Sequence, residues 1–478
     1  MQVDFEKLNT PEREASESLI TVHRLTKKAG VLYEKLRYLI DYQEEHHIRR
    51  NAIERILKRN GDLLHELVTG GYLFEQYASE IAASEIRAIL EKYRALGTNR
   101  MLMSFAASEI NEFLFPAPLN EVILDALYQT VRERVRFTPA LPDGEADMQI
   151  YIACRRSLLK EDPHALRYAL WRRFTSKDNI PHILGEIERL ERHPSGWQLV
   201  PKLKNMALYF SVIREVAAQY GVQSAQVLED DARLEHFVTN LLEDQYKKSD
   251  ERITKSSLRA VAYIFCTKIV LAFILELPYD LFAVGTVHYL ALGINVLFHP
   301  LVLFAMTRSM PRLDQKNTNA VIVGLRAVRD GSDIAPINIR TKVSSGFLDA
   351  VFGLLYALMF VVTFGLLYVL LRALDFNIVS MLLFLMFLAL VSYFGLRIRH
   401  NAQAWKVETE QQGLASLLWN LFTLPIVRAG RALSTKFSSI NIFVFTMDYL
   451  IETPFKMLLK GSDAFLSFLR EKKEEISI

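Results

Sequence analysis

Hydrophobic positions fall into two regimes along this chain. Up to about residue 250 they recur at helical spacing among abundant Glu, Arg and Lys, and after residue 257 they close up into long apolar runs. From Pro11 to Val68 the apolar positions Leu32, Leu36, Leu39, Ile40, Ile53, Ile56, Leu57, Leu63, Leu64, Leu67 and Val68 make an amphipathic stripe, ended by Gly70-Gly71. No strict heptad is sustained, so packed helices are expected rather than a coiled coil.

Further helices are expected over residues 74–96 (stopped by Gly97), 101–115 (stopped by Pro116), 148–174 (broken near Asp162-Pro163), 200–220 and 224–246. The stretch FTPALPDGEAD, residues 137–147, reads as a loop and a subdomain break, and His193-Pro194-Ser195-Gly196 as a turn. Nothing alternates with period two. The fold class read here is all-α: a cytoplasmic helical domain over residues 1–250, then a four-helix transmembrane region and C-terminal amphipathic interfacial helices.

Residues 258–307 are about twice as long as one crossing, which takes roughly 20 residues. Glu276-Leu277-Pro278-Tyr279-Asp280 interrupts them, so they read as a transmembrane hairpin, with crossings over 258–275 and 282–306 inside a segment of 251–307. A second hairpin follows at 347–396, with crossings over 347–371 and 376–396. Lys247, Lys248, Arg252, Lys255 and Arg259 precede the first hairpin, and Arg308, Arg312 and Lys316 follow it; the turn at Glu276 and Asp280 carries no cation. Arg397, Arg399 and Lys406 follow the second hairpin. By the positive-inside rule the N-terminal half, the 308–346 loop and both termini are expected in the cytoplasm, in a plasma or inner membrane.

Residues 397–478 hold no clean fifth span. Leu414, Leu417, Leu418, Leu421 and Phe422 form a stripe ended at Pro425, residues 442–451 are apolar but short, and 455–468 are amphipathic. These lengths suit helices lying in the headgroup plane on anionic lipid, with Trp405 and Trp419 in the interfacial belt.

Composition changes the picture little. The 478 residues carry a net charge of +3, too small to argue for nucleic acid. The N-terminus has no basic and apolar signal pattern, so insertion is expected to be directed by the internal segments. The two cysteines, Cys154 and Cys266, are poorly placed for a disulfide, which fits a reducing compartment for the N-terminal half.

Candidate chemistry is sparse. Glu44-Glu45-His46-His47 and His65-Glu66 lack metal-ligand spacing and read as solvated helix faces. Arg155, Arg156, Lys160, Arg167, Arg172 and Arg173 read as a salt-bridged surface, with anionic headgroups as the competing partner. No phosphate-binding glycine loop, nucleophile elbow or His-Glu-x-x-His occurs. Tyr279-Asp280 superficially resembles the Tyr-Asp pair of intramembrane aspartyl proteases, but their Gly-x-Gly-Asp partner is missing. Catalysis, a metal and a cofactor are therefore not expected.

The polar residues inside the first hairpin remain: Lys268, Glu276, Asp280, His288, Asn295 and His299. An intramembrane charge is by default a functional candidate. On a continuous α-helix Glu276 would sit about 80° round from Lys268, too far for a direct pair, whereas His288, Asn295 and His299 would share one face. Two functional classes are expected from this pattern. The first is a membrane-anchored scaffold or assembly protein that forms homo-oligomers. The alternative is an oligomeric channel or transporter using that polar path.

Overall fold

The computed structural model describes residues 26–28, 30–31, 48–174, 178–308, 314–331, 336–340, 346–407 and 414–439. The stripe over 32–47, the Glu44–His47 cluster and the C-terminal stretches beyond 439 lie outside them. Among the described residues the fold is all-α apart from one pair of short strands. Its contacts divide it into two units, one made of the described residues up to 228 together with 330–331 and 336–340, the other of those over 229–329 and 346–439.

In the first unit the helices are α1 (Ile48–Lys58), α2 (Leu63–Thr69), α3 (Glu80–Leu96), α4 (Arg100–Leu114) and α5 (Pro118–Arg132). After strand β1 (Val135–Thr138) come α6 (Asp143–Cys154), α7 (Pro163–Arg173), α8 (Ile180–Arg192), α9 (Pro194–Lys202), α10 (Lys204–Tyr220) and α11 (Ser224–Glu229). Local chemistry sets these boundaries. Asp62, Ser79, Asn99, Asp162 and Asn179 cap the free N–H groups at the starts of α2, α3, α4, α7 and α8 with their side-chain oxygens. Gly97 ends α3 at φ +135°, a conformation few other residues adopt. The core forms where the apolar faces of α4 and α7 meet: Phe105 stacks on Trp171 with centroids 5.4 Å apart, and both are fully buried.

The basic cluster is consumed by that packing. Arg155 is buried and bonds both Glu121 and Glu161, with nitrogen–oxygen distances of 2.8 and 2.7 Å. Arg167 pairs with Glu191, Arg172 with Glu112, and Arg173 lies over the Tyr151 ring. These groups tie helices together. His65 and Glu66 fall on α2, where Glu66 pairs with Arg59.

The stretch at 137–147 is not one loop. Residues 135–138 form β1, which pairs in parallel with β2 (Ile337–Arg340), Val135 opposite Ile337 and Thr138 opposite Arg340. A strand this short carries no readable alternation, and its partner lies beyond the second apolar segment, so no local pattern announces it.

In the second unit α12 (Asp231–Leu271) begins at the Asp230 cap and runs through position 250 without a break. It continues through a π-helical turn (Ala272–Glu276), a short α-helical piece (Leu277–Tyr279) and a second π-helical turn (Asp280–Val284). Helices α13 (Tyr289–Arg308), α14 (Gln315–Arg329), α15 (Gly346–Ala373), α16 (Ile378–Ala402) and α17 (Leu414–Ser439) follow. Among the described residues four segments are long and apolar enough to cross a membrane: 231–284, Tyr289–Arg308, Ala350–Ala373 and Ile378–Arg399.

The first reversal differs from the expected one. The chain stays helical through Pro278 and turns at Gly285, whose φ is +79° and whose N–H bonds the Asp280 carbonyl at 2.8 Å. Proline's fixed φ is helical; its missing N–H and ring bulk disturb only the preceding turn, and a wider π turn absorbs that. Glycine, free to adopt positive φ, is the true stop. The second membrane helix therefore starts at Tyr289, later than residue 282.

Part of helix α17 packs on the bundle. Phe422, Ile426, Ala429 and Leu433 pack into a cluster with Leu388 and Ala389 of α16. At Gly430 the backbones approach so closely that a Cβ would collide with the Ala389 carbonyl oxygen. The face that carries Phe422, Ile426, Ala429 and Leu433 is thus spent on the bundle, while Leu421 of the expected stripe stays exposed. The contact between α16 and α17 is the most extensive between any two helices among the described residues.

Candidate functional site

The candidate site lies where α12, with its π-helical extension, meets α13 and the start of α16. Lys268, Glu276, Asn295 and His299 are fully buried there, and Asp280 and Ser380 nearly so. Asn295 is the hub. Its side-chain oxygen accepts from the Lys268 ammonium at 2.6 Å, and its amide nitrogen donates to Glu276 Oε1 at 2.6 Å. The other Glu276 oxygen accepts from the Ser380 hydroxyl at 3.0 Å. Asn377 caps α16 by accepting from the Ser380 N–H at 2.8 Å, and its amide donates to Asp280 at 2.6 Å.

Apolar walls close this chain. Lys268 Nζ sits 4.4 Å from the centroid of Phe387, and Ile264, Leu303, Phe387 and Val391 form the adjoining core. His299, one turn beyond Asn295, faces two carbonyls: Nδ1 is 3.2 Å from that of Asn295 and Nε2 2.9 Å from that of Phe384. Its ring meets that of Phe384 in an edge-to-face arrangement with centroids 4.7 Å apart. Nearer the loop end, Ser257 and Thr307 hydroxyls meet at 2.6 Å and join α12 to α13 again.

Of the six residues singled out by sequence, five are drawn into this system and one is not. His288 precedes α13 and is half-exposed; its ring nitrogen Nε2 is 3.4 Å from Thr286 Oγ1, and its carbonyl accepts from the Leu292 N–H at the helix start. The expected His288–Asn295–His299 face assumed helix from residue 282, and the Gly285 turn removes that assumption. Glu276 differs in the other direction. The π turn adds a residue to the last helical turn and swings Glu276 toward α13, so it reaches Lys268 through Asn295. Ser380 and Asn377, which lie at the start of α16, escaped the sequence reading; an Asn at the mouth of an apolar helix is the cap signal that marks them.

The arrangement pairs one ammonium with one carboxylate through an amide, inside a bundle. Amide groups and backbone carbonyls do not hand protons on, and each stands at a junction of this chain, so a continuous relay from Asp280 to His299 is interrupted at Asn377 and Asn295. What the geometry does provide is mutual satisfaction of groups that lipid could not satisfy.

A second buried polar cluster lies in the first unit. Arg50 bonds Glu54 at 2.8 Å and Ser104 at 3.2 Å, and Ser104 Oγ is 3.0 Å from His164 Nδ1. Burial and the neighbouring Arg50 lower the pKa of His164. Ser104, though beside a histidine, is buried mid-helix and already bonded, so it is no exposed nucleophile. Burial pushes the Cys154 thiol up, away from reactivity. Among the described residues no group of His, Cys, Asp and Glu is placed to hold a metal ion.

Comparison with protein-family models, with curated proteins and with solved structures found no match for this chain.

Proposed function

We propose that this chain is an integral membrane scaffold or assembly protein, whose four spans anchor a large helical unit and which associates with copies of itself. The observation that carries the reading is the buried polar chain Lys268–Asn295–Glu276–Ser380, in which each side chain is hydrogen-bonded to another. Such a chain serves as glue between membrane helices. The size of the other unit, most of it placed before the first span, supplies the surface that a scaffold needs.

Two features support the orientation. Residues 337–340, between the second and third spans, pair with residues 135–138, before the first, so the first two spans must leave one side and return to it. The basic flanks of those spans support the cytoplasm as that side.

The channel or transporter reading keeps one observation: an ionisable pair within a span is expensive and by default functional. Reconstitution of the full chain in liposomes separates the two. The scaffold reading expects no ion or proton flux above protein-free liposomes, and a self-associated mass on native mass spectrometry. Flux that Lys268→Met abolishes would instead make the pair a conduction or coupling site, and a strictly monomeric chain would remove self-association.

A further inference from the structure

The edge between α15 and α17 carries a cation in an unusual place. Arg428 is exposed, yet its guanidinium lies 4.7 Å from the centroid of Tyr356, inside the third candidate span. Tyr356 is six residues from the Ala350 end of that span (356 − 350), hence about 9 Å in at 1.5 Å per residue. Gly430, two residues on, touches Ala389, ten residues from the Arg399 end of the fourth span (399 − 389), about 15 Å in. Both of those ends lie on one side of the helix pair, because α15 and α16 are joined by a short turn at their other ends. The guanidinium is therefore below the surface of the bundle at its loop end, not on a solvated rim.

Facing outward at that depth, Arg428 needs an anion. Among the described residues it makes no ion pair, and its guanidinium lies over the Tyr356 ring. Beneath it, the Tyr356 hydroxyl is buried without a hydrogen-bond partner. Arg431 is exposed on the next turn, and Leu421 and Leu424 continue the same outward stripe as apolar surface. An aliphatic stretch beside an arginine and an unanswered hydroxyl is the complement of a phospholipid, with acyl chains along the leucines and the phosphate drawn to the guanidinium.

We propose that the α15–α17 edge, centred on Arg428 and Tyr356, is a binding site for the headgroup of an anionic phospholipid. The proposal rests on the membrane placement argued above, but not on the scaffold role. A phosphate oxygen accepts from the Arg428 guanidinium, and a second acceptor there answers the Tyr356 hydroxyl once the ring edge opens to it. The site explains why α17, which packs along α16 through its other face, keeps a basic outer face.

The test is native mass spectrometry of the full chain released from nanodiscs of mixed phosphatidylglycerol and phosphatidylcholine. Retained phosphatidylglycerol should exceed retained phosphatidylcholine, and Arg428→Gln should reduce that preference about fivefold, the weight of one basic residue at a membrane surface. Arg428→Lys, which keeps the charge and is the safer variant for folding, should lose less, and Tyr356→Phe should lose part. Inorganic phosphate in excess should not compete, since the acyl chains are part of the ligand; competition by free phosphate would make this a soluble-anion site and overturn the lipid assignment. Equal lipid retention by wild type and Arg428→Gln would overturn the proposal outright. So would a change in oligomeric mass with unchanged lipid, which would assign the edge to a second copy of the chain.

Discussion

Lys268 and Asn295 meet at 2.6 Å although they lie 27 positions apart and on different membrane helices. That one contact accounts for how a lysine is kept inside the bundle. Asn295 supplies an acceptor to the ammonium and, from the same amide, a donor to Glu276, so two ions share a neutral bridge. Bringing two charges out of water is expensive, and it is the completeness of the hydrogen bonding that offsets it.

Removing the bridge should therefore hurt more than removing one ordinary hydrogen bond. Asn295→Leu leaves the ammonium and the carboxylate facing an apolar side chain. A loss of about 3 kcal/mol is expected, the scale for stranding buried charged partners, and thermal unfolding in detergent measures it. Asn295→Asp should also destabilise, because a carboxylate can accept from Lys268 but, when ionised, cannot donate to Glu276. A variant as stable as wild type would mean that the bridge is incidental.

Glycines test the packing of α17. At Gly430 an added methyl group meets the Ala389 carbonyl, so Gly430→Ala should force the helices apart and lower stability by about 1–3 kcal/mol. Gly185, inside α8, has open space where its Cβ would be, and Gly185→Ala should stabilise by up to about 1 kcal/mol through the backbone alone. Opposite signs in the same melting assay are the expected outcome; equal effects would contradict the close approach of α16 and α17.

The buried cluster around His164 makes a prediction with a sign. Burial, then Arg50, hold His164 below its ordinary value of 6.5, while Glu54, Asp162 and Arg167 also act on it. The unfolded chain therefore binds a proton near pH 6.5 that the folded one resists, and stability is lost as the pH falls through that value. Glu54 acts in the same direction at lower pH. Burial raises its pKa, but the Lys58 hydrogen bond and the charges of Arg50, Lys58 and His164 outweigh it, so the folded value lies below the ordinary 4.5. The melting temperature of the full chain should fall between pH 7.5 and 5.5, and His164→Gln should flatten that part of the profile. An unchanged slope in His164→Gln would assign it elsewhere.

Sequence and structure agree where the physics is local. Four apolar runs of membrane length, the Gly97 stop and the break at Asp162-Pro163 are readable because each depends on neighbouring residues. The reversal at Gly285 was misplaced because Pro278 is the stronger breaker on paper, whereas two flanking π turns accommodate it. The π turn also decides the site: an ideal helix keeps Glu276 off the Lys268 face, and one extra residue per turn brings it back. β1 is invisible locally because its partner comes after two spans. The outer face of α17 was legible as amphipathic, but nothing in its pattern says whether its apolar side meets lipid or α16.

The central claim is that Lys268 and Glu276 are a structural pair held by Asn295. A double-mutant cycle in thermal unfolding tests it most directly. Lys268→Met and Glu276→Gln should each lower the melting temperature, because each leaves one buried ion uncompensated, and the double variant should recover most of the loss. Losses that simply add, or single variants that melt like wild type, would contradict the account.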